Sequence, residues 1–303
     1  MSLTVSARAG QWTGDLALLA CAVGWGATFP VVESALDHAS PLMLNGARFL
    51  LAAVFLARPA LRAAGAEHRA ALGWGLALGA LLALGYALQT RGLETIDPAR
   101  SAFLTAFYVL FTPLIDWLVR GPRPSAPVLG GAVLALGGVF VMTGGGRGGL
   151  GTGDVLTLAC AVAFAAHIVC LGIALRRHRA GVLLVQQIAI CAVLSLACAP
   201  LVERPRLEFD LLLWLQIAFL GLVATDLLLW LQAFGQRRTS AGHAAVLFSS
   251  EPVWAAVFAV LAGSRPGGAE IAGGALVLAG VLVATLPRVA RGERRAARDG
   301  EPR

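Results

Sequence analysis

Apolar residues fill ten runs of about the twenty residues that an α-helix needs to cross a bilayer, with polar residues confined largely to the gaps. The first five runs cover residues 15–35, 41–57, 71–92, 99–119 and 125–143; the second five cover 154–175, 181–201, 211–233, 241–262 and 269–286. Ser40-Pro41 and Asp97-Pro98 each place a capping side chain ahead of a proline in a first helical turn, where the missing N–H costs nothing. The glycine-rich gap Gly144–Gly153 divides the chain in half. The pattern predicts an all-α integral membrane protein with ten transmembrane helices.

The two halves are copies of one unit. Gly14–Val23 (GDLALLACAV) and Gly153–Val162 (GDVLTLACAV) agree at seven of ten positions, and Gly121–Thr143 matches Gly263–Thr285 at ten of 23 without a gap. Pro113 and Pro252 are paired in the same reading, at the 139-residue separation of the first match. An odd number of crossings per half sends the second half into the membrane from the opposite side. The expected fold is therefore a 5+5 inverted repeat, residues 1–148 and 149–303, the second with a basic cytoplasmic tail.

Charge orients the chain. Only 14% of its residues are charged and its mean hydropathy is +0.77, far from the roughly 25% charge of a soluble domain. All 24 basic residues are arginines; 17 fall in the tail and the gaps on the side of the N-terminus, six in the other gaps, and Arg48 inside the second run. The positive-inside rule then places both the N- and C-termini in the cytoplasm. In this setting a net charge of +7 reflects membrane topology and not nucleic-acid binding. The five cysteines lie in apolar runs without CxxC spacing, which supports neither a zinc nor a redox site.

Several short segments carry a family resemblance: Trp25-Gly26-Ala27-Thr28-Phe29, Arg48-Phe49-Leu50, Ser101-Ala102-Phe103-Leu104 leading to Pro113, Gln236 to Ala241, and Ser250-Glu251-Pro252-Val253. In order and spacing they resemble the drug/metabolite transporter superfamily, specifically an EamA-like permease with two EamA repeats. The resemblance implies a secondary-active transporter of small metabolites such as amino acids or related compounds, more commonly an exporter, in the cell inner membrane. It implies a gradient in place of ATP, and no GxxxxGK[ST] loop occurs in the sequence. No cofactor or metal is expected. The expected partners are the solute, the bilayer, a coupling proton and a second copy of the chain; nucleic acid is not among them.

An ionisable side chain near the bilayer centre costs at least ~2.5–3.5 kcal/mol on insertion scales, so those in the runs are the leading site candidates. Arg48 is a candidate ligand for an acidic solute group or a partner for a carboxylate, Glu251 among them. Glu251, Asp226 and His167 are candidates for coupling; each also has a structural reading, as a paired, solvated or hydrogen-bonded core group. Trp25, Phe29, Tyr86, Gln89, Trp230 and Gln232 are candidates to line the solute pocket, with Gln89 and Gln232 at matching places in their halves. Pro113 and Pro252 are expected to kink their helices and free backbone carbonyls. The glycines of the fifth and tenth runs are expected to pack helices closely or to form a dimer contact.

Catalysis is the rival class. Gly151-Thr152-Gly153-Asp154 spells the GxGD of intramembrane aspartyl proteases, but Asp154 opens a helix, where an acid offsets the dipole, and no Tyr-Asp partner occurs. HExxH and GxSxG are also missing, so no enzyme is expected. A channel or a non-transporting membrane scaffold is the remaining alternative.

Overall fold

The computed structural model describes residues 2–60, 65–121, 126–142, 150–239, 241–261, 263, 265, 267–280 and 282–283. The basic tail and most of the glycine-rich gap, with the boundary proposed between the halves, lie outside them. Every named element is a helix, and the one β-bridge, Ala39 to Leu207, stands apart from any sheet.

In the first half α1 (Ser2–Gly26), α2 (Thr28–Leu36), α3 (Pro41–Ala60), α4 (Gly65–Gly92), α5 (Pro98–Thr105), α6 (Tyr108–Arg120) and α7 (Ala126–Met142) follow in order. In the second come α8 (Thr152–Ala174), α9 (Ala180–Val202), α10 (Leu211–Ala218), a π-helical stretch (Phe219–Leu227), α11 (Leu228–Gln236), α12 (Ala241–Phe248), α13 (Glu251–Leu261) and α14 (Gly268–Gly280). Large apolar side chains stand exposed along these helices, Val54 at 65%, Leu118 at 77% and Leu201 at 79% among them. A surface of that kind is matched to lipid and not to water.

Six stretches among the described residues are long and apolar enough to cross a membrane: Trp12–Leu36, Gly65–Gly92, Pro98–Arg120, Thr152–Ala174, Ala180–Val202 and Leu211–Gln236. This corrects the expectation of ten. The apolar parts Pro41–Ala57, Leu129–Gly138 and Gly268–Gly280 are shorter helices, and the ninth run is split by turn residues at Ser249-Ser250 into α12 and α13. Hydropathy averages over such a break, because a turn of serines between apolar helices scarcely lowers it.

The packing between halves is reciprocal. α4 of the first half lies against α8 and α9, while α11 and the π-stretch of the second lie against α1 and α3. α6 meets α8 as α12 and α13 meet α1. Matched glycines make the closest approaches. A Cβ on Gly92 would sit 3.0 Å from the Gly153 carbonyl oxygen, and one on Gly235 would sit 2.9 Å from that of Gly14. α7 and α14 also touch through backbone, with the Gly280 position against the Gly131 carbonyl. The expected close packing of the fifth and tenth runs is thus present within one chain.

The structure changes the register of the repeat. α5 and α12 each end in a two-residue break, after which α6 begins at Tyr108 and α13 at Glu251, 143 residues on. Beyond each helix stands a glycine at positive φ, Gly121 at 93° and Gly263 at 97°, the left-handed conformation that favours glycine at a helix end. In this register Pro252 matches Val109 and not Pro113. Pro113 lies inside α6, whereas Pro252 is the second residue of α13, where proline fits a first turn. The pairing read from sequence is therefore corrected: the helix breaks precede both prolines.

Polar groups tie the halves together at one end of the bundle. Arg100, in the first turn of α5, donates through Nε at 2.6 Å and Nη2 at 2.8 Å to the two oxygens of Asp154, in the first turn of α8. Asp154 also accepts from the Gly151 amide at 2.9 Å and so caps α8. Glu203, at the end of α9, accepts from Ser40 Oγ at 2.6 Å and from the Leu42 and Met43 amides, capping α3. Arg206 Nη2 donates to the Leu36 carbonyl at 2.8 Å, closing α2, and His38 Nδ1 meets Glu208 Oε2 at 2.9 Å. The GxGD aspartate is thus spent on a structural ion pair.

Candidate functional site

The interior of the bundle holds a cavity of about 50 Å³. That is room for more than one water molecule, in a cavity that is neither sealed nor fully open. Its wall draws on both halves at repeat-matched positions. Trp25, Thr28 and Phe29 of α1 and α2 face the cavity, as do Phe164, His167 and Ile168 of α8, each 139 residues later. Tyr86 and Gln89 of α4 do so with Leu229 and Gln232 of α11, each 143 later. Leu82, Thr105, Tyr108, Phe248 and Glu251 complete it.

Local structure sets each polar group. The first residue of α13 follows the Ser249-Ser250 break, which leaves Glu251 pointing inward at 5% exposure. The Tyr108 hydroxyl, from the matching position of α6, donates to Glu251 Oε2 at 3.0 Å. Gln89 Nε2 donates to Thr105 Oγ1 at 3.2 Å, and His167 Nε2 lies 2.7 Å from Gln187 Oε1. Trp25 Nε1 donates to the Ala224 carbonyl at 3.1 Å, fixing the indole against the π-stretch. Gln232 is buried and its Oε1 has no partner. Aromatic rings stack along the wall: Trp25 and Phe248 have centroids 5.2 Å apart, as do Tyr86 and Phe164.

A mostly apolar cavity with a few polar groups thus lies between matched positions of the two halves. The sequence matches the EamA-like transporter family over residues 12–144 and again over 151–286. The chain belongs to that family. Among relatives of this EamA-like transporter, a protein of Archaeoglobus fulgidus named "Uncharacterized transporter" is 33% identical over 256 residues, covering 81% of this chain and 77% of its own. A Salmonella typhimurium protein named "Probable amino-acid metabolite efflux pump" is 30% identical over 294 residues, covering 89% and 93%. A crystal structure of a protein 23% identical has the same fold, with a TM-score of 0.66 over 92% of this chain and 97% of that one. The chain is thus a multi-pass membrane protein of a transporter family.

The remaining sequence candidates lie elsewhere in the EamA-like fold. Arg48 is 2% exposed but does not line the cavity; its guanidinium carbon lies 4.3 Å from the ring centroid of the lining residue Tyr86 and 4.8 Å from that of Phe49. It forms no ion pair with Glu251. Asp226 sits in the π-stretch with both carboxylate oxygens buried and unpartnered, also outside the wall. Trp230 is 49% exposed and stacks on Phe234, on the outside of α11. Seen from the sequence, Trp25, Phe29, Tyr86, Gln89, Gln232, His167 and Glu251 come together, and Arg48, Asp226 and Trp230 do not join them. Tyr108, Phe164 and Phe248 were missed. The repeat held a signal for Phe164, since Trp25 advanced by 139 lands on it; Tyr108 required the corrected register.

Proposed function

We propose that this chain is a secondary-active exporter of small metabolites such as amino acids or related compounds, working by alternating access in the cell inner membrane. An arrangement as two inverted repeats, with both termini in the cytoplasm, is part of this reading, as is a proton as coupling ion at Glu251. The observation that carries it is the cavity whose wall is built from matched positions of both halves. A solute held there is released when the reciprocal contacts at one end part while those at the other hold. In this reading, loading and release require the halves to part in turn. The glycine contacts Gly92–Gly153 and Gly14–Gly235 are the natural places for that separation, because backbone touching backbone has no side chain to unlock.

Metabolite profiling of cells and medium tests the reading. Overexpressed wild type is expected to move at least one compound from cell to medium, and an equally abundant Glu251→Gln variant to leave it inside. Unchanged profiles for wild type against empty vector, under growth on varied nitrogen sources, would remove the transport assignment in favour of a scaffold.

A further inference from the structure

The polar atoms of the cavity are unevenly spent. Most donors are used within the protein: Tyr108 Oη on Glu251, Trp25 Nε1 on the Ala224 carbonyl, Thr28 Oγ1 on the Trp25 carbonyl at 2.7 Å, and Gln89 Nε2 on Thr105, which leaves the Gln232 amide group as the exception. Acceptors are left over. Gln232 Oε1 is buried with no partner, and Glu251 has Tyr108 as its one hydrogen-bonding partner among the described residues. A buried acceptor without a donor costs free energy, and a buried carboxylate without a countercharge costs more.

The charge on the wall is equally one-sided. Among the described residues that line the cavity, Glu251 contributes the only carboxylate and there is no arginine. The guanidinium of Arg48 lies against the rings of Tyr86 and Phe49 and is not among the groups that line the cavity. The same wall carries the rings of Trp25, Tyr86, Phe164 and Phe248. Aromatic rings attract cations through their quadrupole and accommodate an apolar body.

We infer that the transported solute is an organic amine, bound as its ammonium ion with an apolar or aromatic body and without a free carboxylate. This rests on the transport reading above and narrows it. An ammonium supplies three donors and no acceptor, which complements Glu251 and Gln232. A solute carboxylate would find no cation among the described residues that line the cavity and would share that wall with Glu251. The relevant chemistry is therefore that of decarboxylated, esterified or amidated amino acids, and the reaction class that supplies such a solute is one that removes or masks the carboxylate. The rings of α1, α4, α8 and α12 part to admit the body, and the ammonium reaches Glu251 at the break between α12 and α13.

Three probes share one aryl-ethyl frame and differ in charge: phenethylamine, phenylalanine and phenylacetate. Titration calorimetry on the full chain in lipid nanodiscs reads binding without interference from membrane leak of the neutral amine. Phenethylamine is expected to bind, phenylalanine to bind weaker by roughly tenfold or more, and phenylacetate to give no heat. Glu251→Gln is expected to weaken the amine by roughly tenfold or more. Gln232→Leu, which keeps the acid, is expected to weaken it less and serves where Glu251→Gln does not yield monodisperse protein. Phenylalanine bound as tightly as phenethylamine, amine affinity unchanged in both variants, or no heat from the amine would each overturn the assignment. Those results leave the transport reading to the metabolite profile, which depends on no particular solute.

Discussion

Arg48 and Asp226 show how differently two charges can be kept in an apolar bundle. Arg48 has aromatic faces on the guanidinium and an unpartnered Nε, and Asp226 has no partner for either oxygen. Arg48→Met removes cation–π contacts worth ~0.5–2 kcal/mol and also the unsatisfied donor. A shift of a few degrees in unfolding temperature is therefore expected, with solute affinity within about threefold of wild type, because the side chain lies outside the cavity wall. A loss of binding as large as that in Glu251→Gln would instead make Arg48 a ligand. Asp226→Asn is expected to stabilise the fold by about 1–3 kcal/mol, since it removes an uncompensated buried charge; a denaturation midpoint no higher than wild type would show that the carboxylate has a partner in the membrane. Sequence made both residues conspicuous for the same reason, their cost in lipid, but cost does not say which way a side chain turns. Glu251, which lines the cavity, stood out because its apolar run contains no other acid, while its partner Tyr108 looked like one more aromatic.

At the scale of elements, the breaks and close glycine contacts matter more than the long helices. Gly153 opens α8, and a Cβ there would lie 2.9 Å from the Gly92 carbonyl oxygen and clash with Thr95. Gly153→Ala is expected to loosen that end of the bundle and to raise the rate at which a cysteine placed at Thr28 reacts with a water-soluble maleimide several-fold; an unchanged rate would show that the contact does not control access. The clasp beside it responds to pH. The bond to Glu208 holds His38 above the ordinary imidazole range, and the bonds from His38 and Arg206 hold Glu208 below the ordinary carboxylate range. The histidine's contribution is complete below its ordinary value and fades as pH rises through the raised one. The glutamate's contribution is complete above its ordinary value and fades as pH falls through the lowered one. Unfolding temperatures of wild type and His38→Gln are thus expected to differ most in the mildly acidic range between these limits and to converge at alkaline pH. A difference that persists there would mean that the ring acts by packing and not by charge. The apolar runs showed where helices lie, but the turn at Ser249-Ser250, the π-stretch and the clasp come from packing between halves that sequence places more than 150 residues apart, as with His38 and Glu208.

For the whole molecule, the duplication was the most legible feature, and it set the reciprocal contacts before any coordinate was known. It failed in register at the fourth span of each half, where matching one proline to another overrode the helix breaks. With the register corrected, Tyr108 and Glu251 occupy the same place in their two halves, and they touch each other. Two copies of one position can meet only where the two halves face each other across their common axis. An ancestor assembled from two identical chains would have set the same residue against itself at that point: two acids would repel, and two phenols would offer no countercharge. Fusion of the copies let this pair become unlike. The present chain can hold a single acid at its centre with a hydroxyl trained on it, an asymmetry that no homodimer of one half could encode.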